Sequence, residues 1–237
     1  MEEIKIIIQE QKPSILCISE FNMDHRTFPT LININDYNLE IDNYYSEGKK
    51  SRLGIYIHKT TNYTRRKNLE TKNLATVWIE INPKKPSKWL LCGTYREWCE
   101  QGTNDKAKSR SHKEQITRME AWQRQVLEAD KEKIPILLCG DINIDTTPWT
   151  HPESPKTKYQ KQQKSLLQLL QNTAGEIGLI LLNTSTTRQQ GQNRPSTLDL
   201  YLTNEPQKYQ NTRTLVSTSD HYMVITERNG KVKPNPQ

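Results

Sequence analysis

The sequence lacks any pair of cysteines at CxxC spacing: Cys17, Cys92, Cys99 and Cys139 stand far apart or singly. That argues against a zinc knuckle, which needs closely spaced thiolates. Cys17, Cys92 and Cys139 sit inside the apolar runs ILCI, LLCG and LLCG, where a free thiol packs as a small hydrophobe. A reducing, intracellular compartment, nuclear or cytoplasmic, suits this better than a secreted disulfide scaffold. No apolar run approaches the roughly 20 residues of a membrane span, so no membrane partner is expected. The opening MEEIKIIIQE lacks the basic start and long apolar middle of a signal peptide. Apolar residues are scarce, at 33% with a mean hydropathy of -0.88, which implies a modest core under a heavily solvated surface. There is no internal repeat and no sign of a second domain. A length of 237 residues suits one large α/β or sandwich domain.

Acidic charge is also in deficit, leaving a net +7. Such a balance suits a polyanion, nucleic acid or an anionic membrane face, with solubility alone as the plain alternative. The charge is uneven. Lys49, Lys50, Arg52, Lys59, Arg65, Arg66 and Lys67 form one group, and Lys106, Lys108, Arg110, Lys113, Arg118 and Arg124 a second. A basic surface gains affinity by releasing counterions from phosphates, so binding should weaken steeply with salt.

Along the chain, Ile4, Ile7 and Ile8 share one helical face, and Pro13 ends that helix. SILCIS, 14–19, reads as a buried strand with Glu20 at its carboxyl end. GIYIH, ATVWIEI and WLLCGTY read as three consecutive strands with short connections, which suggests antiparallel pairing. Ile116, Met119, Trp122 and Val126 predict an amphipathic helix over 110–130 with a basic outer face. PILLC, 135–139, is a buried strand, and 146–164 a polar loop. Residues 165–173 form a helix with a leucine stripe. LILL and LDLYL are strands, and 214–217 and 222–225 flank the last polar cluster. The layered rhythm is that of an α/β protein. One domain over 1–228 and a tail or linker over 229–237 are expected.

Four polar clusters each adjoin a short apolar run: Ser19-Glu20, Gly140-Asp141-Ile142-Asn143, Ser196-Thr197-Leu198-Asp199 and Ser219-Asp220-His221. Polar groups at strand ends can converge on one sheet edge, where ligand sites commonly form. Carboxylates suit Mg²⁺, which keeps several waters and leaves room for a substrate phosphate. A carboxylate can take a proton from water, and a histidine oriented by a second carboxylate can neutralise a phosphoryl transition state. Any one cluster alone is equally well a surface turn.

In order and spacing, Glu20, Tyr95-Arg96, GDIN at 140–143, STLD at 196–199 and SDH at 219–221 resemble the signature of the endonuclease/exonuclease/phosphatase superfamily. The resemblance covers nearly the whole chain. Within that superfamily, KPSILCISE, GTYRE, PILLCGDINID, TTRQQGQNRPSTLDLYLTN and STSDHYMVI resemble the apurinic-like endonuclease domains of non-LTR retrotransposons. The resemblance implies a four-layer α/β-sandwich, two mixed sheets face to face with helices outside, here without the family's first strand and its metal-side Asn. It implies Mg²⁺, with Mn²⁺ as a substitute, held by Glu20 and Asp220. Catalysis would fall to Asp141, Asn143, Asp199, His221 and Tyr95. Asp141 would activate water, Asn143 and Tyr95 would hold the phosphate, and Asp199 would orient His221. Arg96, Arg194, Ser196 and Thr197 would contact substrate, and Arg188 and Arg194 either reach into a groove or solvate a loop. Trp98 and Trp149 either stack on bases or cover core. The implied reaction nicks DNA to a 3′-hydroxyl and a 5′-phosphate, and the implied partners are DNA and a reverse transcriptase region of the same element. A DNA-binding remnant without activity, an abasic-site repair nuclease, an RNA deadenylase or a phosphoinositide phosphatase are the alternatives on the same fold.

Overall fold

A computed structural model of the chain describes residues 2–23, 32–43, 50–72, 74–82, 88–97, 105–150, 158–189, 195–217 and 219–229. Its elements are α1 (Glu2–Gln11), β1 (Ile15–Met23), β2 (Tyr37–Ile41), β3 (Ser51–His58), β4 (Tyr63–Arg65), β5 (Ala75–Ile81) and β6 (Trp89–Tyr95). There follow α2 (Asp105–Asp130), β7 (Ile136–Asp141), α3 (Thr147–Thr150), α4 (Lys158–Ile177), β8 (Ile180–Leu181), β9 (Asp199–Thr203), β10 (Tyr209–Leu215) and β11 (Met223–Arg228). Arg194, Trp98, Cys99 and all of the expected tail but Asn229 lie outside the described residues.

The strands form a six-stranded sheet in the order β4-β5-β6-β7-β9-β8, a three-stranded sheet β1-β3-β2 and a hairpin β10-β11. Side-chain alternation sorts the large sheet into two faces. Val77, Ile79, Ile81, Leu91, Leu137 and Cys139 point to one side, where they meet Leu53, Ile55 and Ile57 of β3. Trp78, Leu90, Cys92, Ile136, Leu138, Leu200 and Leu202 point to the other, where Met119, Trp122 and Val126 of α2 and Leu166, Leu167 and Leu170 of α4 cover them. Both faces being buried explains why β6 and β7 are continuous apolar runs rather than alternating ones. Each fully buried Leu or Ile contributes roughly 1.5–3 kcal/mol, so the modest apolar content is concentrated where it counts. The result is the expected α/β-sandwich, two sheets packed face to face with helices on the outer face of the larger one. The hairpin joins the large sheet through Tyr209, which packs on the inter-sheet core, and through Tyr201 Oη, which donates to the Val224 carbonyl at 3.3 Å.

Three readings of the sequence change. GIYIH does not join ATVWIEI and WLLCGTY in one sheet: β5 and β6 pair antiparallel, but β3 pairs with β1 and β2 across the sandwich. Alternation reveals a strand but not which sheet receives it. SILCIS does not stop at Glu20, because β1 runs on to Met23 through an irregularity opposite β3. The polar stretch 146–164 holds α3 and the start of α4, which begins seven residues before the predicted helix start at 165.

Candidate active site

The site is built where β7 leaves its parallel neighbour β6, whose pairing ends at Gly93–Cys139. Gly140 has φ +120, and a Cβ there would lie 2.1 Å from the Thr94 carbonyl oxygen. Only glycine tolerates both the dihedral and the approach. The following turn folds onto its own carboxylate. Asn143 donates to Asp141 from its backbone N–H at 2.7 Å and from Nδ2 at 3.2 Å. Asn143 has φ 50, a left-handed conformation that asparagine adopts more readily than most residues.

Arg96 clasps this turn from behind. Its Nη2 donates to the Asn143 carbonyl at 2.6 Å, its Nε donates to the Ile142 carbonyl, and its backbone N–H donates to the Asp141 carbonyl at 2.9 Å. The guanidinium is buried in the turn, a position that serves loop shape rather than an open phosphate contact. The Asp141 N–H donates to Ser19 Oγ at 3.2 Å, which ties the turn to β1 beside Glu20.

Antiparallel pairing of β7 with β9 sets Asp141 directly opposite Asp199. Like charges at opposed positions repel. Asp141 is only 2% exposed. Burial first, then the Asp199 charge, pushes its carboxyl up to about 7, although the Asn143 N–H, His221 and Arg96 oppose the rise. His221 Nδ1 lies 2.9 Å from Asp199 Oδ2. Burial disfavours the imidazolium, but the hydrogen bond and charge of Asp199, aided by Asp141, outweigh it and raise the His221 pKa above its ordinary value. Ligand atoms of Asp141, Asp199 and His221 all lie within 4.8 Å of one another. This is an acid/base cluster that could equally accept a cation.

Residues 187–189 splice the two halves of this cluster together. Arg188 makes isolated antiparallel bridges to both Ser196 and His221. Buried Thr187 Oγ1 accepts from the Leu198 and Asp199 N–H groups at 2.9 and 3.1 Å. Asn183 adds a further hold, with Nδ2 donating to the Asp199 carbonyl at 2.7 Å. The Asp220 carboxylate accepts from Arg188 Nε at 3.0 Å and Nη2 at 2.9 Å. Burial opposes ionisation of Asp220, but Arg188 and then His221 hold its carboxyl below the ordinary value.

Of the expected residues, Asp141, Asn143, Asp199 and His221 gather in one place. Glu20 is exposed at the same edge and accepts a hydrogen bond from Tyr95 Oη at 2.9 Å. Burial, foremost, pushes the Tyr95 hydroxyl up to about 12, so it stays protonated. Asp220 faces Arg188. Ser196 contributes its backbone to the bridge with Arg188, and the buried Thr197 hydroxyl donates to the Ser185 carbonyl at 3.2 Å. Trp149 packs against the helix-side core. The roles of Ser19, Thr187, Asn183 and Arg188 in holding the site had no local signal, since each partner lies at least eight residues away or across the sandwich.

Two comparisons bear on this geometry. A family described as endonuclease-reverse transcriptase matches residues 105–225, just over half of the chain. Among solved structures, the endonuclease domain of TRAS1, a telomere-specific non-LTR retrotransposon, is similar at a TM-score of 0.67 and 19% identity, over 97% of this chain and 92% of that one. The catalytic domain of Xenopus laevis APE2 is similar at 0.64 and 12% identity, over 98% and 90%. An endonuclease/exonuclease/phosphatase from Beutenbergia cavernae is similar at 0.57 and 13%, over 97% and 66%. No curated protein matches the chain. The fold is thus that of the endonuclease/exonuclease/phosphatase proteins, and with residues 105–225 carrying Asp141, Asp199 and His221, the chain belongs to the endonuclease-reverse transcriptase family.

Proposed function

We propose that this chain is a Mg²⁺-dependent DNA endonuclease, able to use Mn²⁺ instead, that leaves a 3′-hydroxyl and a 5′-phosphate. The observation that carries the reading is the buried Asp141 opposed to Asp199, with His221 hydrogen-bonded to the latter. Two opposed carboxylates form a pair whose charge is only partly compensated, and their oxygens, with the exposed carboxylate of Glu20, suit a hard cation. Glu20 would hold it, with Asp199 adding negative charge beside it, which leaves Asp141 free to accept a proton. When bound, a divalent cation supplies charge stabilisation for the phosphoryl group and its leaving oxygen.

The chain's own residues divide the remaining work. Asp141, with its carboxyl pushed up to about 7 by burial and Asp199, is basic enough at neutral pH to take a proton from water. The water oxygen bonds to phosphorus, the bond to the 3′-oxygen breaks, and that oxygen takes up a proton from solvent. Asp199 occupies His221 Nδ1, which leaves Nε2 to donate to a phosphate oxygen as charge builds. Arg96 and Asn143 keep Asp141 in place. Residues 1–228 form the nuclease unit in this reading, with Tyr95 and Asn143 near the phosphate and Arg194 as a further substrate contact. Exposed Arg110, Lys113 and Arg124 on α2 add to a net charge of +7 that favours a polyanion.

The likeness to a retrotransposon endonuclease domain supports target-site nicking as the role, inside the cell, with the new 3′-hydroxyl priming a reverse transcriptase region of the same element. Supercoiled-plasmid nicking tests the reading, with Mg²⁺ or EDTA and with His221→Ala. Mg²⁺-dependent relaxation that His221→Ala loses is expected. Salt-sensitive DNA binding without nicking would overturn it in favour of a binding remnant, and cleavage confined to abasic, RNA or phosphoinositide substrates would move it to another activity of the fold.

A further inference from the structure

Opposite the candidate site, β1 and β3 fall out of step. Ser19 pairs with Leu53 and Met23 with Ser51, so Glu20, Phe21 and Asn22 together oppose a single residue, Arg52. Such a bulge re-aims a side chain and twists its strand. Glu20 and Asn22 both adopt left-handed φ, 55 and 52. Non-glycine residues hold such values only where surroundings enforce them. Phe21, between them, packs on the face of β3 that points away from the larger sheet: a Cβ on Gly54 would lie 2.9 Å from its ring, and the ring meets Tyr56 edge-on at 6.2 Å. That anchors the middle of the bulge and leaves its two flanks, Glu20 and Asn22, turned toward Tyr95 and Arg52.

Arg52 grips both flanks. One arm of its guanidinium, Nη1, donates to Asn22 Oδ1 at 2.5 Å. The other, Nη2, donates to Tyr95 Oη at 3.1 Å, and the guanidinium carbon lies 5.1 Å from the centre of the Tyr95 ring. Tyr95 Oη in turn donates to Glu20 Oε1 at 2.9 Å. The direction of this chain is forced. A guanidinium has no acceptor, so the tyrosine oxygen must accept from Arg52, and its single proton is left for Glu20.

We propose that Arg52 is a positioning residue for Glu20, acting through Tyr95 and the bulge to fix the carboxylate for a divalent cation. The proposal rests on the nuclease reading above and adds a residue that supports a metal-holding carboxylate without touching metal or substrate. Geometry and charge pull in opposite directions here, which makes the idea decidable. As a mere neighbouring cation, Arg52 would repel the metal, and removing it would tighten binding. As an outer support for the ligand, losing it should weaken binding roughly 10–100-fold.

The test is Mn²⁺ binding to the EDTA-stripped, DNA-free chain, read by electron paramagnetic resonance, for wild type, Glu20→Gln, Arg52→Met and Arg52→Lys. Weakening in both Arg52 variants, toward the level of Glu20→Gln, is expected. Arg52→Lys keeps the charge but cannot span Asn22 and Tyr95 with one ammonium, so it separates fork geometry from charge and decides the matter if Arg52→Met does not fold. Circular dichroism checks the fold of each. Wild-type-like or tighter binding in Arg52→Lys overturns the positioning role while leaving the nuclease reading intact. A folded wild type that neither binds Mn²⁺ nor nicks plasmid sinks both.

Discussion

Asp141→Asn should make the protein more stable at neutral pH while abolishing the proposed reaction. The folded chain holds this carboxyl at about 7 against an ordinary 3.8, chiefly through burial and then through Asp199. Between those two values the folded state keeps a proton that the unfolded state releases. Stability from this group therefore falls as pH rises from about 4 to 7 and is flat above. At roughly 1.4 kcal/mol per unit, the full deficit at pH 8 is at most about 4 kcal/mol. Asparagine removes the charge but keeps an oxygen to accept the Asn143 N–H, now 2.7 Å away. It loses the second contact, from Asn143 Nδ2 at 3.2 Å, which costs about 1 kcal/mol. A net gain of about 1–3 kcal/mol at pH 8 is expected, shrinking toward zero or reversing near pH 4. Urea denaturation of both proteins in EDTA, at several pH values between 4 and 8, measures it. A variant destabilised by the same amount at every pH would refute the reasoning, because the carboxylate would then be making native contacts worth more than its burial costs.

Other perturbations reach the same site by different routes. Gly140→Ala places a methyl group against the Thr94 carbonyl at an unfavourable φ, so a loss of about 3 kcal/mol or more is expected in thermal melts. Thr187→Val strands the buried N–H groups of Leu198 and Asp199. A loss of about 2 kcal/mol is expected, together with slower plasmid nicking, because Asp199 loses part of its seat. Arg96→Lys gives up the fork on the Ile142 and Asn143 carbonyls, and should lower nicking turnover more than it raises the DNA concentration for half-maximal rate. Equal changes in both would point to a substrate contact instead. Arg188→Ala removes the charge that opposes protonation of His221 and frees Asp220. The His221 pKa, followed by NMR in EDTA, should rise; a fall would refute this placement of Arg188.

Local features carried much of the fold. β6 and β7 were legible as apolar runs because both faces of the large sheet are covered, and α2 because Met119, Trp122 and Val126 recur at helical spacing. Longer elements drifted at their ends. β1 reads as finished at Ser19, since nothing in EFNM signals that the strand continues through a bulge. Assignment of β3 to the opposite sheet was not legible either, because alternation marks a strand's faces and not its neighbours.

The sequence by itself determined that Glu20, Asp141, Asp199 and His221 adjoin short apolar segments, and that each of these clusters can form a turn. Those are properties of adjacent residues, set by sterics and hydrophobic burial over a few positions. Tertiary structure alone decided the electrostatics. Burial of Asp141, and after it the Asp199 charge that the β7–β9 register sets opposite, raised the Asp141 pKa. Packing turned the Arg96 guanidinium inward, gave Asp220 to Arg188, and brought Arg52 from β3 to the bulge of β1. Each of these depends on which groups lie within 4.8 Å of one another, between residues 30 to more than 50 apart in the chain. Hydrogen bonds and desolvation act over that short range, and only the folded register supplies it.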